Sequence, residues 1–200
     1  MRIILIGGTG TIGREVSKAL AANNEVMVAS RSGGVLRVDI SDPARVETMY
    51  RDAGAFDAVV CAAGSARFGP LDDLEYEDFL FSFRNKLMGQ INLVTIGRNY
   101  IKDNGSFTLT SGVLAREPMP GSSAVSMVNA ALEGFVRAAQ LELERGVRIN
   151  VVSPVWVQET LLAMGHKSLE GMPAALVARA YVAGVTGTMK GQVLDVNDYT

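Results

Sequence analysis

The chain has 200 residues, 48% of them hydrophobic and 20% charged, which indicates one folded domain over residues 1–200 and excludes disordered and fibrous proteins. Nineteen Lys and Arg residues against 21 Asp and Glu residues give a net charge of −2 without a basic run, so we expect no nucleic-acid partner. No segment approaches the ~20 apolar residues of a membrane helix and no signal peptide is evident, so we expect a cytoplasmic protein without a membrane partner.

Apolar runs of strand length alternate with helical patterns along the whole chain, which is typical of a parallel sheet with crossover helices. The predicted strands are Arg2–Ile6, Glu25–Ser30, Val35–Ile40, Ala55–Cys61, Gly105–Thr110, Val147–Val152 and Gln192–Val196. The predicted helices are Ile12–Ala22, Pro43–Ala53, Tyr76–Tyr100, Ser122–Arg145 and Pro173–Val182, with a short loop-helix insertion over Val157–Met172. The sequence therefore predicts an α/β fold: a doubly wound parallel sheet of Rossmann type with helices on both faces, in three layers.

A glycine-rich loop follows the first strand directly and opens the first helix. Its glycines, Gly7, Gly10 and Gly13, recur every third residue, with Thr9, Thr11 and Ile12 between them. Glycines at this spacing let backbone N–H groups approach a pyrophosphate, while the helix N-terminus supplies partial positive charge. The position between a strand and a helix predicts a dinucleotide site, although a tight turn without a ligand has the same composition.

The end of the second strand indicates which dinucleotide binds. It reads Ser30-Arg31-Ser32, with no carboxylate to hold a ribose 2′-hydroxyl. Arg31 is suited to a 2′-phosphate and the two serines can add hydrogen bonds, so the sequence favours NADP(H) over NAD(H). A solvated arginine in a turn remains the alternative. After the third strand, Asp39 and Ile40 either border the adenine or begin the next turn, and the sequence favours neither.

These residues resemble the short-chain dehydrogenase/reductase family along nearly the whole chain. The glycine loop, the Asp39-Ile40 pair and the strand ending at Pro154 are similar to the family's motifs, and Cys61-Ala62-Ala63-Gly64 is similar to its Asn-Asn-Ala-Gly turn. The resemblance implies that Ala62, Ala63, Gly64 and Pro154 border the cofactor. It also implies a small-molecule substrate.

The family's catalytic residues are only partly present. The resemblance places at Ser111 the serine that polarises a substrate carbonyl, although serine is also frequent in turns. The family's Tyr-x-x-x-Lys pair is replaced by Val125 and Asn129, so the usual proton donor and the cation that lowers its pKa are both missing. Asn129 can still hydrogen-bond ribose hydroxyls or a water.

Lys86 is the candidate replacement for the lost cation. In the family pattern Asn-x-x-Gly, counting back three residues from Gly89 gives Lys86, whereas Asn85 is about 100° away around the helix. Lys86 would then face the active site, although a solvated lysine fits the sequence equally well. His166 is a weaker candidate proton donor, and the five tyrosines fall on segments predicted to lie away from the nicotinamide. No residue cluster suggests a metal site.

Two functional hypotheses follow from the sequence. The first is an NADP(H)-dependent oxidoreductase that acts on a carbonyl or alcohol and uses Ser111, Lys86 and Asn129. The second is an NADP(H)-binding sensor or regulatory protein without redox chemistry, which the replacements at Val125 and Asn129 favour. We also expect a homodimer or homotetramer through the two long helices. The basis for that expectation is their excess of apolar residues: Leu87, Ile91, Val94, Val136 and Leu141.

Overall fold

Seven parallel strands form one sheet in the order β3-β2-β1-β4-β5-β6-β7 in the computed structural model, which describes residues 1–200. The strands are β1 (Arg2–Ile6), β2 (Glu25–Ser30), β3 (Leu36–Arg37), β4 (Phe56–Cys61), β5 (Ile101–Thr110), β6 (Arg148–Ser153) and β7 (Val193–Asp195). The helices are α1 (Thr11–Ala21), α2 (Pro43–Ala53), α3 (Tyr76–Ser82), α4 (Gly89–Gly97), α5 (Ser123–Ala139), α6 (Gln158–Ala163) and α7 (Ala174–Thr186). The predicted doubly wound α/β fold is confirmed.

Successive residues of each strand point to opposite faces of the sheet, and both faces are covered. On one face Ile3 and Leu5 pack against α1 and α7 in a cluster of 16 buried residues. On the other face Ile4 and Ile6 join a cluster of 26 buried residues that includes side chains of α2, α4 and α5. The molecule therefore has three layers, and all carboxyl ends of the strands meet at one edge of the sheet.

Five predicted elements differ from the structure by three residues or more. Two of them are longer than predicted, since β5 begins at Ile101 and not at Gly105, and α7 extends to Thr186 and not to Val182. The predicted strand Val35–Ile40 is reduced to Leu36–Arg37, because it pairs only with β2 at the sheet edge and then turns. The predicted helix Ser122–Arg145 ends at Ala139, before a polar turn. The predicted helix Tyr76–Tyr100 ends at Gly97 and is interrupted by a π-helical turn over Phe83–Met88. A π-turn inserts one residue into the helical repeat and is frequent at functional sites.

The glycine-rich loop holds α1 unusually close to the end of β1. A Cβ atom at Gly13 would lie only 2.0 Å from the carbonyl oxygen of Gly7, which excludes any side chain there. Gly7 itself has a φ of +81°, and a Cβ on it would contact the backbone of Ala62 at 2.9 Å. The spacing of these glycines is therefore required by the packing of the strand and the helix as well as by any ligand.

We predict that Gly13→Ala lowers the free energy of unfolding by about 1–3 kcal/mol or prevents folding, because the new methyl group overlaps the Gly7 carbonyl. Gly10→Ala, in the same loop, is the matched control. Its Cβ would lie 3.4 Å from the nearest atom, so a loss of at most about 1 kcal/mol is expected. Urea unfolding of the two variants without ligand measures the difference. Equal stabilities would contradict the packing argument.

Candidate functional site

The candidate site lies at the carboxyl edge of the sheet, where β1 and β4 are neighbours. The chain leaves β1 for α1 on one face, and the segment after β4 leads to the helices on the other face. Crevices at such a reversal of strand order bind ligands in open α/β sheets. Two cavities lie there and share Gly64. We call them the nucleotide cavity, beside β2 and β3, and the reaction cavity, beside β5 and β6.

The nucleotide cavity brings together residues that are distant in sequence. Its lining comprises Ile6, Gly7, Ser30, Arg31, Val38, Asp39, Ile40, Gly64, Ser65 and Asn85. The N-terminus of α1 has no side-chain cap, so its first N–H groups are free for an external acceptor. A Cβ on Gly7 or Gly13 would fill space beside that helix end. These residues fit a dinucleotide whose pyrophosphate lies on the loop, where Thr9, Gly10 and Thr11 are at least partly exposed and Ile12 continues into the reaction cavity.

At the end of β2, the Arg31 guanidinium is available to a ligand, but of the two serine hydroxyls only that of Ser32 is free. Arg31 is exposed and lines the nucleotide cavity. The Ser30 hydroxyl is used within its own turn, since its Oγ accepts from the N–H of Gly33 at 2.8 Å and donates to the Gly33 carbonyl. The expectation that Ser30 binds phosphate therefore conflicts with its hydrogen bonds, whereas Ser32 is exposed. Sequence analysis had not singled out Arg37 and Arg45, which line the adjoining cleft with Arg31.

Asp39 both begins the turn into α2 and lines the nucleotide cavity, the two positions between which the sequence did not decide. Its Oδ1 accepts from the backbone N–H of Ser41 at 3.0 Å and from the Ser41 hydroxyl at 2.7 Å, which forms the turn into α2. The hydroxyl bond is the main reason that the pKa of Asp39 is lowered. Asp39 and Ile40 also line the nucleotide cavity, and Ile40 packs against Gly89 of α4. The turn and a position beside the adenine are thus compatible.

The reaction cavity has a volume of about 280 Å³ and a predominantly apolar wall. It is lined by Ile12, Ala62, Ala63, Gly64, Lys86, Thr110, Ser111, Gly112, Val113, Leu114, Val125, Asn129, Pro154, Val155, Trp156, Val157 and Thr160. All three candidate catalytic residues are among them, and Lys86 is the one charged side chain. Val125, at the position where the resemblance implied a tyrosine, is part of the apolar wall.

Lys86 reaches this cavity from the π-turn between α3 and α4. Its ammonium Nζ donates to the carbonyl oxygen of Ser111 at 3.0 Å. The stem crosses Gly64, where a Cβ would lie 2.9 Å from Cγ of Lys86. Burial among these groups lowers the pKa of Lys86 to about 8. Lys86 is therefore a group that can hold or release a proton near neutral pH.

Ser111 is differently oriented from what the resemblance implied. Its hydroxyl donates to Oε1 of Glu133 at 3.1 Å and lies 3.4 Å from the Val152 carbonyl, and the residue is only 3% exposed. The hydroxyl is thus engaged by a carboxylate that does not line the cavity. Ser111 contributes its carbonyl oxygen, which holds Lys86. Sequence analysis missed Glu133, although its place one helical turn after Asn129 on α5 was a usable signal.

Asn129 presents an acceptor that has no partner within the chain. The residue is 2% exposed, and its Oδ1 atom is buried without a hydrogen bond. Its Nδ2 atom makes one long contact of 3.5 Å with the Gly112 carbonyl. Buried polar atoms are almost always paired, so this orphan oxygen fits a donor from outside the chain, such as a ribose hydroxyl or a water.

The remaining candidates lie outside the reaction cavity. His166 is exposed beyond α6 and does not line it. Tyr181, expected to be distant, instead places its hydroxyl 2.6 Å from Oγ1 of Thr110, directly before Ser111. Tyr181 is fully buried, which raises its pKa and keeps it protonated. Burial likewise raises the pKa of Cys61 to about 12, so that thiol is neutral and unreactive.

Two features are absent from the chain. No group of three or more His, Cys, Asp and Glu side chains is arranged to hold a metal ion. No helix combines the length and the apolar character that crossing a bilayer requires.

Comparison with known proteins places this geometry in context. Residues 10–191 match the family model described as Enoyl-(Acyl carrier protein) reductase. The crystal structure of the protein lin1944 from Listeria innocua is 39% identical, covers 98% of this chain and 99% of its own, and superposes with a TM-score of 0.94. A crystal structure of a small-chain dehydrogenase in complex with NADPH is 30% identical, over 98% of this chain and 95% of that one, with a TM-score of 0.87.

A curated relative extends the likeness to named enzymes. The short-chain dehydrogenase/reductase ATR9 from Stachybotrys chlorohalonatus is 25% identical over 94% of this chain and 93% of its own length. Other curated relatives are longer, and the chain spans 56% and 66% of the lengths of two of them.

Proposed function

This chain belongs to the short-chain dehydrogenase/reductase family of oxidoreductases, and we propose that it interconverts a carbonyl and an alcohol with NADP(H) as the hydride carrier. The observation that carries the proposal is the reaction cavity at the carboxyl edge of the sheet. There Lys86 and the orphan acceptor of Asn129 line one cavity, which adjoins the nucleotide cavity. This arrangement supports proton transfer beside a bound coenzyme.

Arg31 supports NADP(H) as the coenzyme. No carboxylate follows β2 to accept a ribose 2′-hydroxyl, and the guanidinium of Arg31 faces the nucleotide cavity with Arg37 and Arg45 in the adjoining cleft. Asp39 and Asp52 line that cleft as well, but its three guanidinium groups outnumber these two carboxylates, and the excess of positive charge favours a 2′-phosphate. The NADPH complex of a 30% identical dehydrogenase is consistent with this choice.

The residues of the reaction cavity divide the work between them. A bound nicotinamide coenzyme supplies the hydride. Lys86, with a pKa of about 8, donates a proton to the substrate oxygen in reduction and accepts it in oxidation. The Ser111 carbonyl fixes its ammonium group at 3.0 Å, and the Glu133 bond holds the Ser111 hydroxyl away. Oδ1 of Asn129 accepts from a ribose hydroxyl or from a water that returns the proton to Lys86.

A second candidate function also has an observation in its favour. The Val125 side chain lines the reaction cavity and the Ser111 hydroxyl is bonded to Glu133, so no free side-chain hydroxyl of Ser or Tyr is aimed at a substrate carbonyl from these two positions. A protein that binds NADP(H) without turnover, as a sensor or regulatory component, would need none. Activity assays and coenzyme binding together distinguish the two functions.

Self-association through the two long helices stays a prediction, but part of its original basis was wrong. Leu87, Val94 and Val136 are buried within the chain itself, because the π-turn, α4 and α5 use these residues to cover the sheet. Leu141 is 88% exposed but follows the end of α5. The apolar surface that remains on these helices includes Met127, which is 42% exposed. A cytoplasmic location likewise stays a prediction.

We predict that Arg31→Ala weakens NADPH binding by about 10- to 100-fold, the range typical of a lost charge-assisted contact, and leaves NADH binding unchanged. Calorimetric titration of both coenzymes measures this. Arg179→Ala, which removes an exposed arginine of α7, is the matched control and should change neither affinity. An equal loss for both coenzymes would show that Arg31 does not read the 2′-phosphate.

We predict that Lys86→Met reduces NADPH-linked turnover of aldehydes, ketones or quinones by about 10²- to 10⁴-fold at unchanged NADPH affinity, because the proton donor is lost.

In the unchanged protein, kcat/KM for reduction should be level below about pH 8 and fall above it, as Lys86 loses its proton. Ser111→Ala keeps the carbonyl that holds Lys86, so this variant should retain the inflection. Tight NADPH binding with no turnover of any carbonyl class would instead favour the non-catalytic function.

We predict that sedimentation velocity at micromolar concentration detects a dimer or tetramer, because exposed apolar side chains such as Met127 remain on the helices proposed to associate. Met127→Glu should shift the protein toward the monomer without changing its fold. A particle of only 21 kDa over the whole concentration range would contradict self-association.

A further inference from the structure

Lys86 lacks the ionic partner that a partly buried charge normally has. Eight ion pairs occur in the structure, and none includes Lys86. Its one hydrogen-bond acceptor is the Ser111 carbonyl, whereas an ammonium group has three donors. Two N–H donors are therefore left for a ligand, at a position where an unpaired charge is costly.

The surrounding titratable groups do not neutralise this cation. The Cys61 thiol, with its pKa raised to about 12, carries no charge near pH 7. The Glu133 carboxylate is used by the Ser111 hydroxyl at 3.1 Å and lies 3.5 Å from Arg137. No Asp or Glu lines the reaction cavity. The positive charge of Lys86 is consequently available to a bound anion.

The other lining residues of the cavity determine which uncharged part of a ligand fits there. Apart from Lys86, the wall consists largely of apolar side chains, with the indole of Trp156 among them. The Thr110 hydroxyl is already shared with the Cys61 carbonyl and Tyr181. Asn129 offers an acceptor without a partner, and Thr160 adds one hydroxyl. The wall thus favours an apolar, aromatic body with a single charged oxygen. A carboxylate loses more hydration on burial than a phenolate does, so it fits this largely apolar wall less well.

We propose that the reaction cavity selects phenols and enols and binds them as oxyanions against the Lys86 ammonium. Enols and phenols are tautomers of carbonyl compounds, so this inference narrows the substrate class of the proposed function and rests on it for its catalytic meaning. The binding itself requires no turnover. An oxyanion would also supply the ionic partner that Lys86 lacks, and this charged contact would strengthen binding of the ligand.

The test uses p-nitrophenol, whose phenolate and phenol forms have different absorption spectra, added to the full chain loaded with NADP⁺. In the unchanged protein we expect the bound compound to ionise at a lower pH than in water, so the phenolate band appears on binding. In Lys86→Met the apolar wall without its cation should shift the ionisation to a higher pH than in water. The two shifts have opposite signs, so the result does not depend on the absolute affinity.

Three controls make the outcome specific. Lys86→Arg retains the charge and should retain the phenolate band. Lys18→Met removes an exposed lysine of α1 and should behave as the unchanged protein. The methyl ether p-nitroanisole cannot ionise and should bind at least about tenfold more weakly, since it forfeits the charged contact. Circular dichroism establishes that each variant is folded.

Several results would overturn the inference. Nitrophenol bound in the neutral form, an unchanged phenolate band in Lys86→Met, tighter binding of benzoate than of nitrophenol, or no binding of nitrophenol would each do so. NADPH affinity and turnover are measured on the same preparations. Intact turnover without nitrophenol binding removes this substrate class alone, whereas absent coenzyme binding removes the proposed function.

Discussion

The contact between the first strand and the first helix is the constraint on which the rest of the structure depends. At Gly13 the helix lies so close to the Gly7 carbonyl that a single carbon atom would overlap it. This closeness directs the uncapped N-terminus of α1 at the carboxyl edge of the sheet. It also leaves a cavity beside β2 and β3, because no side chain fills the loop. The same glycines therefore determine the packing and the place of the ligand.

A one-residue difference in helical register separates the functions of two neighbouring side chains. Asn85 lines the nucleotide cavity and donates back to the Phe81 carbonyl at 3.0 Å, whereas Lys86 lines the reaction cavity. Consecutive helical residues are about 100° apart, so they can face different sites. Both lie in the π-turn, which joins α3 and α4. The turn thus places the ammonium group of Lys86 at the end of β5. In the family's Tyr-x-x-x-Lys pattern the lysine would instead be on α5, at the position of Asn129.

The sequence predicted elements well where local chemistry determines them. α2 begins and ends where predicted, Pro43–Ala53. It begins there because Asp42 accepts from the N–H groups of Ala44 and Arg45, and it ends before Gly54, which has a φ of +67°. The direction of the Ser111 hydroxyl could not be predicted, since it depends on Glu133, 22 residues later and on another element. Tyr181 was misplaced for the same reason, because its neighbour Thr110 is 71 residues away. Side-chain direction in a site is a tertiary property, whereas caps and strand runs are local.

The replacements in the reaction cavity are consistent with one another electrostatically. A lysine at position 129 would add a second cation to an apolar cavity that already holds Lys86, and each would disfavour the charged form of the other. The neutral amide of Asn129 avoids that repulsion and supplies an acceptor instead. Lys86 is therefore the one charged side chain that lines the cavity, and it has no ionic partner within the chain.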